Sequence, residues 1–162
     1  FSCFLQFQYT NDYSPLQPND AGQSAQGEID NGELLLKHAR IYTLAEKLGI
    51  PELKTLAHSK IHRVNSSSSG EIVYARYVYT NTPADDITIR KPVAAFWATR
   101  SHVLRHEAED EWKKLCLEVP EFAFDVLSIV LDQKEKRSQD KGEAEVESAV
   151  RPRGRKRHRA GL

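Results

Sequence analysis

The chain has 162 residues, of which 23 are Lys or Arg and 23 are Asp or Glu, with two cysteines, no methionine and a 40% hydrophobic share, enough for one domain with a modest core plus tails. Two cysteines, Cys3 and Cys116, exclude a disulfide framework and read as buried, reduced thiols, while no apolar run nears the ~20 residues of a membrane span and no basic-plus-apolar leader is seen. The zero net charge hides an asymmetry, because residues 151–162 carry +6 and leave −6 on the first 150. A chain that opens on Phe1 without any methionine reads as a fragment of a longer protein, nuclear or cytoplasmic and not secreted.

Ser2 to Tyr9 is short and mostly apolar, and its periodicity fits either a buried strand or the end of a helix. Residues 16–32 shift to Gln, Pro, Asn, Asp, Gly and Ser and read as a loop. Gly22 and Gly27 flank Ser24 too widely for a nucleophile elbow. Asp30 and Glu33 fit a capping box, and behind them Leu34, Leu35, His38, Ala39, Ile41, Tyr42, Ala45 and Leu48 form an apolar helical stripe. Gly49 ends that helix and Pro51 starts another, whose face is Leu53, Leu56, Ala57, Ile61 and Val64. The two make a tight helical hairpin. In a fragment, the elements that should cover its apolar face are expected to be missing, which predicts exposed apolar surface.

Residues 65–70, NSSSSG, form a polar linker. Ser68 and Glu71 make a second capping-box pattern ahead of IVYARYVYT, a segment that is strand-like by propensity but helical by its cap. We assign it as helix. Thr82, Pro83, Asp85 and Asp86 have the chemistry of a helix start. Pro92 predicts either that this helix begins beside it or that 85–91 is a separate short turn. Burial is expected at Val93, Phe96, Trp97 and Val103, then at Trp112, Leu115 and Leu117 after an acidic run. Val119-Pro120 breaks the chain before a last apolar helix with Phe122, Phe124, Val126, Leu127, Val130 and Leu131. Residues 133–162 are charged and apolar-poor, and disorder is the expectation.

The string A-x-x-Y-x-L-A-x-K-x-x-I-x-x-L-x-x-L-A from Ala39 to Ala57 resembles the last helices of a BTB/POZ domain of the fungal type. FLQFQYTNDYSP is similar to the segment before them, an apolar helix ending in Tyr-Thr-Gly and followed by a short strand, with Asn11 in the glycine's place. YTNTPADDITIR and VPEFAFDVL resemble the helical region that follows this domain in fungal members. The resemblance implies a mainly α chain: residues 1–64 as the C-terminal helical part of a BTB/POZ-like α/β fold, 71–132 as a helical extension, and 133–162 as the tail. It favours helix for Ser2 to Tyr9. It also implies a protein-interaction module, not an enzyme, acting as an adaptor for a cullin-type ubiquitin ligase or as a transcription-related regulator. Protein partners, or self-association through the preceding part of the domain, would follow.

Two histidine pairs, His58 with His62 and His102 with His106, have the one-face spacing of metal ligands, with Asp110 four residues beyond. Zinc needs three or four converging ligands, and solvated or rim histidines are the preferred reading; no metal and no cofactor are expected. Cys116 lies between Leu115 and Leu117, a setting for an inert thiol. The sharpest local signal is the tail, where Arg151, Arg153, Gly154, Arg155, Lys156, Arg157 and Arg159 make a polycation suited to an import receptor. Pro152-Arg153-Gly154-Arg155 also resembles an AT-hook for A·T-rich DNA, with Lys156 replacing its second proline. The alternative function is thus a nuclear, chromatin-associated protein acting through this tail, and a small metal-dependent enzyme is the third; for the tail itself a merely solvated end also stays open.

Overall fold

The computed structural model describes residues 2–14 and 31–150, with side chains to 141. The described residues form seven helices and no strand: α1 (Ser2–Thr10), α2 (Asn31–Leu48), α3 (Pro51–Ile61), α4 (Ser68–Asn81), α5 (Ile87–Glu107), α6 (Glu109–Glu118) and α7 (Pro120–Val150). The chain is mainly α, as expected. Asp12 to Ser14, where the resemblance implies a strand, are irregular. Loop 16–32 gives its last two residues, Asn31 and Gly32, to α2, and the Asp30 cap lies outside the described residues.

Local signals account for several boundaries. Gly49 has φ +66°, and the Ile50 N–H reaches the Ala45 carbonyl at 2.9 Å while the Gly49 N–H reaches Glu46 at 3.1 Å, the paired bonds of a Schellman motif. Asn11 enters the left-handed region after α1, with φ 53°, which asparagine tolerates better than most residues. The IVYARYVYT segment is helical, because tertiary burial of Ile72, Tyr74, Ala75, Val78 and Tyr79 outweighs its strand propensity. Its cap is Ser67, not Ser68: the Ser67 side chain accepts from the Gly70 N–H at 3.2 Å. Ser68 instead bonds to Glu107, so the linker stops one turn short of the expected boundary.

The hairpin face is not left bare. Leu35, Ala39, Tyr42, Ala45, Leu53 and Ala57 are buried, and α2 packs on both α3 and α4. The expectation of an uncovered face is therefore corrected, since α4 supplies the cover. Helix α4 also touches α5, α6 and α7, which makes it the element shared by the two halves of the molecule. Beyond it the core is aromatic: Trp97 stacks on Trp112 with centroids 4.7 Å apart, and Phe122 meets Trp97, Trp112 and Tyr79 edge-on.

Pro92 lies inside a single α5, five residues past its start at Ile87, and neither of the two expected arrangements is found. Helix α7 runs on to Val150, where disorder is expected from Gln133. Its residues past Leu131 include good helix formers such as Gln, Lys, Glu and Ala, and extending a helix already nucleated and packed costs little. Burial also departs from the periodicity. Leu48, Val103, Leu117, Phe124, Leu127 and Leu131 are exposed, and Cys3 and Cys116 are free and only half-buried.

Candidate interaction face and polar cavity

Helix α7 has two apolar faces. Phe122 and Val126 are buried against α5 and α6, as a helix of the domain requires. On another side Phe124, Leu127 and Leu131 are 70%, 56% and 47% exposed, and their i, i+3, i+7 spacing aligns them in one row. Leu117 at the end of α6 adds a further exposed apolar side chain. Apolar residues aligned on one unpartnered face differ from the scattered exposed leucines of an ordinary surface.

Polar ties hold the frame behind this face. Arg90 is buried, and its guanidinium donates to the carbonyls of Tyr79 (3.0 Å) and Thr82 (2.5 Å), to Thr82 Oγ1 (3.2 Å) and to Glu121 Oε2 (2.8 Å). A cation there meets the negative end of α4 and pins it to the first turn of α7. Asp86 stands at the N-cap of α5 without capping it. Its carboxylate instead accepts from Tyr42 Oη at 2.9 and 3.1 Å and lies 3.5 Å from Lys54 Nζ, which also pairs with Glu46 at 2.5 Å. At the other end Tyr13 Oη meets His38 Nδ1 at 2.8 Å, and burial, with Lys60 nearby, holds that imidazole down at about 4. Neutral His38 has one N–H and one acceptor nitrogen, so its tautomer sets whether the ring or the phenol donates.

A cavity of about 240 Å³ opens between α2, α4 and α5 at the end of α3. Leu35, Ile61, Val93 and Phe96 give it apolar walls, and His62 and Arg100 stand among its polar lining. Glu71 and Tyr74, three residues apart on α4, line it while only 7% and 6% exposed. Neither side chain forms a hydrogen bond to another described residue, although both retain access to the opening. Burial pushes the Glu71 carboxyl up to about 7 against the pull of Arg100, and burial raises the Tyr74 phenol. A buried acid that keeps its proton near neutrality can donate a hydrogen bond or, when a cation arrives, give the proton up.

The histidine pairs separate. His58 and His62 face one another with Nε2 atoms 3.1 Å apart, while His102 and His106 are exposed on α5. Among the described residues no three of His, Cys, Asp and Glu gather as a metal would need. No described helix is long and apolar enough to cross a membrane. The expected tail site, Arg151, Arg153, Gly154, Arg155, Lys156, Arg157 and Arg159, lies outside the described residues. Sequence reasoning missed the cavity, assigning Glu71 to a cap; the one signal was a carboxylate leading an otherwise apolar and aromatic run. Comparison with family models, curated proteins and solved structures finds no match to this chain.

Proposed function

We propose that this chain is a protein-interaction module and not an enzyme, with the exposed row on α7 as its docking face and a second copy of the chain as occupant. The supporting observation is the row of Phe124, Leu127 and Leu131 on a 31-residue helix. Antiparallel pairing about a twofold near Leu127 sets Phe124 of one copy beside Leu131 of the other. The same register brings Glu121 beside Lys134, so charge and apolar bulk match together. The likeness of residues 39–57 to BTB/POZ domains supports the same class, since those domains pair with themselves or with partners; an adaptor role in ubiquitin ligation or a role in transcription would follow from it.

The test is the molar mass in solution, by light scattering or sedimentation. Wild type is expected to dimerise in the micromolar range, a free energy of about −8 kcal/mol, and Leu127→Glu to be monomeric with unchanged helicity. A wild-type monomer at about 200 µM, or an undiminished Leu127→Glu dimer, removes this reading of α7.

A second reading rests on the +6 charge of residues 151–162. If Arg153 and Arg155 enter an A·T-rich minor groove, Gly154→Val blocks the close backbone approach and abolishes A·T-selective binding, yet leaves nuclear import intact. A fusion of residues 141–162 to a cytoplasmic reporter that neither enters nuclei nor retards A·T-rich duplex at low salt ends both uses of the tail.

A further inference from the structure

The cavity beside Glu71 has a chemistry of its own, unrelated to the α7 row. Two polar side chains more than nine-tenths buried, Glu71 and Tyr74, border it with no hydrogen-bond partner among the described residues. The polar atoms of both still reach the opening, where solvent or a ligand can meet them. Their complement is a ligand with a donor-rich head. Arg100 also lines the opening, its guanidinium 5.1 Å from the Phe96 ring centroid and in no ion pair with another described residue. A simple cation would be repelled by Arg100, and a simple anion by ionised Glu71, whereas a molecule carrying both charges satisfies both. The space equals about eight water volumes at ~30 Å³ each, below the range of drug-sized pockets.

We propose that this cavity binds a small zwitterion of the α-amino-acid class, its ammonium donating to Glu71 and Tyr74, its carboxylate meeting Arg100, and a short apolar side chain lying against Leu35, Val93 and Phe96. Valine, with about eight non-hydrogen atoms, matches the volume. Binding of the ammonium displaces the Glu71 proton to solvent, so affinity rises as pH rises. The other groups facing the site do not reverse that trend. The guanidinium of Arg100 is a fixed cation, burial raises the Tyr74 phenol, and burial with His58 holds His62 below its ordinary value.

The full chain is titrated with L-valine, isobutylamine and isovalerate, with binding read by NMR chemical-shift change at Glu71, Tyr74 and Arg100. Saturable binding of valine is expected, tighter at pH 8 than at pH 5.5, with each single-charge analogue at least about tenfold weaker. Arg100→Gln, an exposed change that leaves the core intact, should erase the preference for valine over isobutylamine, and Glu71→Gln should erase that over isovalerate. No saturable shift with valine up to about 10 mM overturns the proposal. So does an Arg100→Gln protein that still prefers valine over isobutylamine, a result that stands even if Glu71→Gln fails to fold.

Discussion

The imidazole of His58 replaces a missing backbone donor: its Nε2 lies 3.1 Å from the carbonyl of Thr88, the oxygen to which Pro92, four residues on, offers no N–H. The carbonyl can only accept, so His58 carries its proton on Nε2. That assignment makes the facing His62 Nε2 an acceptor with its own proton on Nδ1. Protonating His62 would set N–H against N–H, which agrees with the lowered affinity of that ring for a proton, caused first by burial and then by His58. A proline tolerated inside α5 and a histidine pair at the C-terminal end of α3 are thus one device.

A double-mutant cycle isolates it. His58→Ala leaves the Thr88 carbonyl without its side-chain donor and should cost about 1 kcal/mol in urea unfolding. Pro92→Ala restores the helical N–H, and in that background the same His58→Ala change should cost measurably less. Equal losses in the two backgrounds would show that the His58 contact does not serve the proline's orphaned carbonyl.

Two buried groups give stability opposite dependences on pH. His38 is held at about 4 in the folded state, from 6.5, chiefly by burial. The unfolded chain therefore binds more protons below 6.5, and the stabilisation present above that value is lost as pH falls toward 4. Glu71 is raised from 4.5 to about 7, so the folded chain holds the extra proton, and its contribution is present at low pH and lost as pH climbs through 7. Glu71→Gln should accordingly gain stability over wild type at pH 8, by on the order of 2 kcal/mol, with little gain at pH 4. Denaturant midpoints at the two pH values decide it; a gain independent of pH would mean that Glu71 ionises freely.

Two glycines should fail for different reasons. At Gly49, with φ +66° and nothing within 4 Å of an added Cβ, Gly49→Val costs about 1 to 2 kcal/mol through backbone strain alone. At Gly70 a Cβ would come within 2.7 Å of the Gly32 Cα, backbone against backbone at the close approach of α4 to α2. Gly70→Ala should cost about 1 to 3 kcal/mol through overpacking. Thermal unfolding of the two variants provides the comparison. A Gly70→Ala protein as stable as wild type would mean that α2 and α4 can move apart freely.

The elements legible from sequence are those whose causes are local. A left-handed glycine at 49, an asparagine able to enter the same region at 11, and the 3.6-residue stripes of α2 and α3 each depend on residues within one or two turns. Caps and apolar periodicity, with the resemblance to a known family, likewise pointed to the mainly helical class. What only the tertiary structure decided depends on residues far apart in the chain. IVYARYVYT reads as helix from its cap against its strand propensity, but its burial between the hairpin and the Trp97, Trp112 and Phe122 cluster belongs to the tertiary structure. Pro92 is tolerated within α5 because His58, 34 positions earlier, meets the carbonyl it leaves free. Apolar periodicity marks that Phe124, Leu127 and Leu131 share a face with one another, but it cannot say whether another element covers them; that depends on where α5 and α6 lie, and they lie on the other side. Glu71 is the extreme case. Its sequence neighbours make it an ordinary residue of a helix's first turns, and only the convergence of α2, α4 and α5 turns it into a buried acid at the wall of a cavity.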